Sequence, residues 1–190
     1  MKLLEQRILS DGTVKPGGIL KVDNFLNHQI DGELMYQMAQ EFKRLYAGEK
    51  IDKVLTIEAS GIAMAVMTAY VLGCPMVFAK KSKSRNISDN VYSTEVASFT
   101  HGNVNTVVVS REYLHPGENV LVVDDFLATG AALVGLFELV EQAGGHVVGA
   151  GIAIEKQFQQ GGDMLRAKGY RVESLARIAE MTDTGLRFCD

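Results

Sequence analysis

The sequence has few cysteines and no pattern that would join them in a covalent or metal-bound framework. Its two cysteines, Cys74 and Cys189, are far apart, and neither belongs to a CxxC pair. A disulfide-stabilised scaffold or a cysteine-based zinc site needs several cysteines at characteristic spacings. The cysteine content therefore excludes those classes and fits a reducing, cytoplasmic setting.

Long apolar runs and an excess of positive charge are also missing. The longest apolar stretch, GIAMAVMTAYVLG, covers residues 61–73, whereas a transmembrane helix needs about 20 apolar residues. Glu5 and Arg7 interrupt the apolar pattern of the N-terminal segment, which therefore lacks the core of a secretion signal. The net charge of −4 argues against nucleic acid as the main partner. We expect no membrane and no nucleic-acid association.

Several common catalytic signatures are absent as well. No GxxxxGK[ST] stretch occurs, which excludes a Walker-type phosphate loop. The four histidines show no HxH or HExxH spacing, so a histidine-based metal site is not expected. Ser60 has no nucleophile-elbow context, which argues against hydrolase chemistry.

What is present is an alternation of strand and helix patterns. The apolar runs KVLTI, PMVFA, NVLVV, HVVGAGIAI and YRVESLARI predict strands, and helical spacing lies between them, for example from Ile62 to Leu72 and from Gly130 onward. This order predicts a parallel α/β sheet. With 190 residues and 47% apolar content, we expect one domain over residues 1–190. VYSTEVASF and NTVVVSREYL predict an antiparallel hairpin or flap, and we expect the segment from Lys81 to Val91 to be flexible.

Three predicted strands end in polar clusters, namely Glu58–Gly61, Asp124–Asp125 and Glu155–Lys156. Ligands of parallel α/β sheets bind beyond the carboxyl ends of the strands. We therefore expect these clusters to meet at one binding site.

The acid pair in VLVVDDFLATGAALV carries the strongest chemical signal. One carboxylate would suffice to cap the following helix, but two adjacent carboxylates repel each other and need hydroxyls or a cation. Thr129 and Gly130 follow at a predicted helix N-terminus, where unpaired N–H groups bind phosphate. A sugar phosphate satisfies both the acids and the loop.

VLVVDDFLATGAA resembles the phosphoribosyl pyrophosphate signature of the type I phosphoribosyltransferases, and TIEASG resembles their pyrophosphate-binding loop. The resemblance covers essentially the whole chain. It implies a central parallel sheet of about five strands flanked by helices, with a flexible flap and a small hood. It also implies transfer of a phosphoribosyl group to a base, with Mg²⁺ held mainly by the substrate, and a homodimer.

The resemblance assigns roles to individual residues. Asp124 and Asp125 would hold the ribose hydroxyls and act in catalysis. Ala59 and Ser60 would bind the pyrophosphate, with Lys81 either joining them or remaining solvated. The 5′-phosphate would lie on the loop formed by Ala128, Thr129, Gly130, Ala131 and Ala132.

The segments GGILKVDNFLNHQID and IEKQF resemble the xanthine-using members of this family. Leu20 and Asn27 would contact the base by resemblance, and Lys156 would donate to a purine carbonyl oxygen or else be an ordinary surface lysine. Phe25 or Phe158 would stack on the base or belong to the core. Ala128 stands where hypoxanthine-guanine relatives carry a third acid. This substitution favours a more acidic base, which is xanthine.

Other readings stay open from the sequence. The base could be guanine or hypoxanthine instead of xanthine. Some transcription repressors use this fold to sense phosphoribosyl pyrophosphate without catalysis, although the chain has no residues to spare for a DNA-binding domain. An orotate or adenine enzyme is disfavoured by Lys156 and by the hood sequence.

Overall fold

The computed structural model describes residues 1–82, 90–97 and 104–189. The helices are α1 (Lys2–Asp11), α2 (Gly32–Leu45), α3 (Ile62–Leu72), α4 (Ala131–Gln142) and α5 (Gly161–Ala167). A π-helical turn covers Asp23–Asn27, and a 3₁₀ turn covers Gln157–Gln159. The strands are β1 (Thr13–Lys15), β2 (Ile19–Lys21), β3 (Lys53–Ile57), β4 (Met76–Ser82), β5 (Val91–Ala97), β6 (Val104–Ser110), β7 (Asn119–Leu127), β8 (His146–Lys156), β9 (Val172–Met181) and β10 (Leu186–Phe188).

The central sheet confirms the predicted parallel architecture. In the described part of the chain its strand order is β10-β9-β8-β7-β3-β4-β6-β5. The five strands from β9 to β4 run parallel. The predicted hairpin of β5 and β6 is also present, and it extends the sheet because β6 pairs antiparallel with the end of β4. The predicted flexible segment lies largely in residues 83–89, outside the described residues, as does the hairpin tip at 98–103.

The central strands are covered on both faces, as their continuous apolar runs require. Because successive side chains of a strand point to opposite faces, Leu121 and Val123 of β7 pack into the core beneath α2 and α3. Val120 and Val122 pack into the core beneath α4. The sheet therefore has a layer of helices on each face.

The segment from Thr13 to Asn27 forms the predicted hood. The strands β1 and β2 make a small antiparallel sheet, and the π-helical turn follows. Val22, Phe25 and Leu26 anchor the segment because their side chains are buried in the core. Polar groups of the hood are thereby held above the carboxyl edge of the main sheet.

Three boundaries differ from the sequence prediction. Strand β7 continues to Leu127, so Asp124 and Asp125 lie inside the strand and not after it. The chain does not close with the β9 region, because β10 returns antiparallel to it. Helix α4 begins at Ala131, with Gly130 before it in the left-handed conformation at φ 87°.

The described helices are short. The longest, α2, has 14 residues. No helix within residues 1–82, 90–97 and 104–189 combines the length and apolarity that a membrane crossing requires.

Candidate active site

Asp124 and Asp125 lie side by side on β7, and both are only 6% exposed. The backbone N–H of Asp125 donates to Asp124 Oδ1 at 3.0 Å. Asn27 of the hood donates to Asp125 Oδ2 at 3.2 Å through its side-chain amide. Both partners are neutral groups. Among the described residues, neither carboxylate forms a salt bridge.

Burial without a paired cation changes the protonation of Asp124. Burial raises the pKa of Asp124 well above its ordinary value of 3.8, and the neighbouring charge of Asp125 raises it further. Lys81 opposes this shift through its positive charge. The pair is therefore short of positive charge, and a cationic or metal-bearing ligand would relieve that shortage.

Residues 128–130 form the turn from β7 into α4, and residues 131 and 132 begin that helix. Gly130 takes the left-handed conformation that favours glycine, and its carbonyl accepts the first helical hydrogen bond, from Val134 N, at 3.0 Å. The N–H groups of the first turn of α4 have no partners within the helix. Ala128 and Thr129 are accessible here, while Gly130 is buried. Backbone N–H groups arranged in this way can bind an anion such as phosphate.

The second loop, Glu58–Gly61, joins β3 to α3 and contains a cis peptide bond between Glu58 and Ala59. Glu58 Oε1 accepts a hydrogen bond from the backbone N–H of Lys81 at 2.6 Å. Gly61 lies against the acid pair, because a Cβ there would be 2.9 Å from Asp124 Oδ1 and 2.2 Å from Thr56 Oγ1. The loop is thereby fixed beside Asp124.

The two loops and the acid pair enclose a cleft of about 230 Å³. Most of the sequence-predicted residues meet there: Ser60, Lys81, Asp124, Asp125, Ala128, Thr129, Gly130, Ala131 and Ala132 all line it. Ala59 is exposed in the same loop as Ser60 but does not line the cleft. The expected convergence of the Glu58 and Asp124 clusters is confirmed.

Two further polar residues line the cleft: Glu58, which belongs to a predicted cluster but was given no role, and Asn105, which the sequence analysis missed. Glu58 stood within the TIEASG segment, so the position of that loop was the signal for it. Asn105 gave no signal of its own. It reaches the cleft because β6 pairs with both β4 and β5 in a register that the sequence does not reveal.

The predicted base-binding residues lie at the hood side of the cleft. Lys156 Nζ donates to the Gly18 carbonyl at 3.0 Å and lies 5.8 Å from the centroid of the Phe126 ring. Burial lowers the pKa of Lys156, so this is not an ordinary solvated lysine. Leu20 is buried in the core, and Asn27 contacts Asp125.

The two aromatic candidates for stacking separate clearly. Phe25 is 0% exposed and belongs to the core, so its side chain is not available to a base. Phe158 is partly exposed in the 3₁₀ turn after β8.

The third predicted cluster divides between two roles. Lys156 faces the hood, but Glu155 points away from the cleft into an ion pair with Arg166. The expectation that Glu155 lies in the same binding site is wrong, because its buried carboxylate is paired with Arg166 beneath α5.

Another cavity, of about 630 Å³, lies along β4 and β6, with Phe78, Val109 and Tyr113 in its wall. Neither aspartate of the pair contributes to it. The charged chemistry described above therefore belongs to the smaller cleft.

Comparison with known proteins agrees with this geometry. The family model for the phosphoribosyl transferase domain matches residues 21–179. A xanthine phosphoribosyltransferase from Brevibacillus brevis is 51% identical over 190 residues, covering all of this chain and 97% of the relative. The enzyme of that name from Finegoldia magna is 52% identical over 190 residues, covering 100% of both chains.

Solved structures resemble the chain in fold. Adenine phosphoribosyltransferase from Rhodothermus marinus matches with a TM-score of 0.75 and 23% identity, covering 93% of this chain and 97% of that one. The enzyme from Giardia lamblia complexed with 9-deazaadenine matches with a TM-score of 0.77 and 21% identity, covering 94% and 98%. At these identities the likeness shows a shared fold and carries no argument about the base.

Proposed function

We propose, since this chain belongs to the phosphoribosyltransferase family, that it transfers the 5-phosphoribosyl group of phosphoribosyl pyrophosphate to xanthine. The products are xanthosine 5′-monophosphate and pyrophosphate, and the role is purine salvage. Two relatives that share about half of its residues over at least 97% of their length are named for this base. The observation in the structure that carries the proposal is the buried acid pair beside an anion-binding turn.

Asp124 and Asp125 act on the ribose. Their carboxylates accept hydrogen bonds from its 2′- and 3′-hydroxyls, and their negative charge lies next to the ring where positive charge develops as pyrophosphate leaves. Stabilisation of that charge by groups fixed in advance lowers the barrier without a covalent intermediate. The raised pKa of Asp124 supports this role, because the pair is poised to gain a positive neighbour.

The two loops bind the ends of the substrate. Ala128, Thr129, Gly130, Ala131 and Ala132 hold the 5′-phosphate, mainly through backbone N–H groups because both residues after Gly130 are alanines. Ala59 and Ser60 bind the pyrophosphate, with Lys81 supplying positive charge at the rim of the cleft. Glu58 fixes this loop to the end of β4 through its bond to Lys81 N.

The base lies between the hood and the end of β8. Lys156 donates to a carbonyl oxygen of the purine, which suits an oxopurine and not adenine. Asn27 bridges the base region and Asp125, because its amide offers both a donor and an acceptor. Leu20 contributes through its backbone or the edge of its side chain, since that side chain is buried.

Mg²⁺ fits this site. Hard oxygen ligands are those it prefers, and it is usually held by one or two carboxylates together with substrate phosphates. Asp124 and Asp125 would face the ion, and its charge would satisfy the unpaired acids and stabilise the leaving pyrophosphate. The described residues contain no cluster of three or more acid, histidine or cysteine ligands, so substrate oxygens would supply the remaining contacts.

The wider setting is part of the same proposal. Residues 1–190 form one domain, supported by two apolar cores on opposite faces of one sheet. We place the enzyme in the cytoplasm as a homodimer. We propose neither a nucleic-acid nor a membrane partner.

The test is release of pyrophosphate from phosphoribosyl pyrophosphate and Mg²⁺, with xanthine, guanine, hypoxanthine and adenine supplied separately. We expect the highest kcat/KM with xanthine. A preference for guanine or hypoxanthine would keep the reaction and overturn the base. Tight binding of phosphoribosyl pyrophosphate without release from any base would instead indicate a non-catalytic sensor.

A further inference from the structure

Glu155, the penultimate residue of β8, is a fully buried carboxylate with its own set of partners. It is 0% exposed, and the guanidinium of Arg166 in α5 donates one hydrogen bond to each of its carboxylate oxygens, at 2.9 and 2.7 Å. Ser174 of β9 donates to Oε2 at 2.5 Å, and Arg177 Nε lies 3.5 Å from the same oxygen. Burial acts against the charge, but the bonds from Arg166 and Ser174 outweigh it and hold the pKa of Glu155 below its usual value.

Helix α5 rests directly on this carboxylate. A Cβ at Gly162 would lie 2.1 Å from Glu155 Oε1 and 2.7 Å from an Arg166 nitrogen. Only glycine permits such an approach. The ion pair therefore fixes the height of α5 above the end of β8, in addition to balancing a charge.

The same helix supports the phosphate-binding turn from behind. Gly161 N donates to the Ala128 carbonyl at 3.1 Å. A Cβ at Gly161 would lie 2.2 Å from that oxygen and 2.6 Å from Gly130 N, so the two backbones are in direct contact. Met164 of α5 closes over Gly130 on the same side. A shift of α5 would move the turn by a similar distance.

Lys156 is the residue after Glu155, so the carboxylate also fixes the start of the base-binding segment. We propose that Glu155 is a positioning residue, whose ion pair with Arg166 holds the 5′-phosphate turn and Lys156 in their working geometry. This inference rests on the proposed function. In it, the buried Glu155 keeps the 5′-phosphate subsite and the base subsite in place. Glu155 does not touch the substrate.

The experiment compares Glu155→Gln and Gly161→Ala with two controls. Glu118→Gln weakens another well-buried ion pair, with Lys53, outside the cleft. Gly185→Ala adds a Cβ that meets no atom within 4 Å. For each folded protein, initial rates give KM for phosphoribosyl pyrophosphate and for xanthine, and calorimetry gives the Kd of phosphoribosyl pyrophosphate with Mg²⁺.

We expect Glu155→Gln to raise both KM values, by about 10- to 100-fold, because misplacement of a binding group by about 1 Å has effects of that order. Gly161→Ala should raise KM and Kd for phosphoribosyl pyrophosphate and leave KM for xanthine unchanged. Glu118→Gln should lower thermal stability without changing either KM. If Glu155→Gln does not fold, Arg166→Lys replaces it, because this side chain is 30% exposed and the change keeps its charge.

Unchanged KM and Kd values in Glu155→Gln or its replacement and in Gly161→Ala would overturn the inference and leave a purely structural ion pair. The calorimetric arm needs no base. A wild type that binds phosphoribosyl pyrophosphate but transfers nothing to xanthine would therefore refute the proposed function, while the Kd values of the variants would still decide on Glu155.

Discussion

Among the described residues, a buried lysine at one end of the central sheet forms a salt bridge, and a buried acid pair at the other end does not. At the amino end, Lys53 of β3 is almost completely buried and donates to both oxygens of Glu118 at 2.7 and 2.9 Å and to the Tyr113 carbonyl. At the carboxyl end, Asp124 and Asp125 are equally buried, yet they have only neutral hydrogen-bond partners in the described structure. The first arrangement is complete, and the second has no cation paired with it among the described residues.

Glu155 sharpens the comparison because it lies at the carboxyl end but is fully paired with Arg166. Proximity to the cleft therefore does not by itself leave a carboxylate unpaired. Buried charge is costly unless it is paired and hydrogen-bonded. We propose that a ligand supplies the missing charge at the unpaired acids, and that the paired Glu155 supports that place.

The largest effect is expected at the acid pair. Asp125→Asn should lower kcat by about 10²- to 10³-fold, the usual cost of removing one group that stabilises transition-state charge. The KM for xanthine should change much less, because in the proposed function the acid acts on the ribosyl cation. Initial rates over a range of xanthine concentrations measure both. Equal turnover in the variant would refute the role.

At the amino end of the sheet, removal of a charge should lower the stability of the protein and leave its activity unchanged. Glu118→Ala leaves the buried Lys53 ammonium without its carboxylate, and we expect unfolding in urea to show a loss of about 3 kcal/mol. Turnover per folded molecule should stay at the wild-type level. A large change in KM would mean that the two ends of the sheet are not independent.

The contact between the Glu58–Gly61 loop and the acid pair can be tested sterically. Gly61→Ala would push a Cβ to 2.2 Å from Thr56 Oγ1 and 2.9 Å from Asp124 Oδ1. Crowding of this kind costs about 1–3 kcal/mol in stability, and we expect KM for phosphoribosyl pyrophosphate to rise with it. Gly32→Ala is the matched control, since its Cβ would meet nothing within 4 Å. Equal behaviour of the two variants would contradict the packing described here.

The smallest predicted effect is a gain in stability, whereas the preceding variants lose activity or stability. Asp124→Asn should stabilise the ligand-free protein by about 1 kcal/mol, as relief of a strained functional site commonly does. A carboxyl whose pKa is raised by folding contributes stability at low pH, and that contribution is lost as the pH rises from its ordinary value of 3.8 through the raised pKa. The advantage of the variant should therefore grow over this range. Thermal unfolding measured against pH checks it.

Much of this arrangement follows from the sequence because its signals are local. Continuous apolar runs predicted the parallel strands, and the acids followed by Thr129 and Gly130 predicted the cleft. The extension of β7 through the acid pair was missed, since polar residues inside a strand look like its end. The roles of Asn105 and Arg166 depend on the register of the β5–β6 hairpin and on how α5 packs against the end of β8. No local pattern encodes such pairings.

The most direct measurement of the central claim is the number of protons released when phosphoribosyl pyrophosphate and Mg²⁺ bind, obtained by calorimetry in buffers of different ionisation enthalpy. Because the pKa of Asp124 is raised in the free protein and a cation would lower it, wild-type protein should release a proton at a pH between the lowered and the raised pKa. Asp124→Asn should release correspondingly less. The same proton count for both proteins would contradict the claim that the ligand supplies the charge missing at this pair.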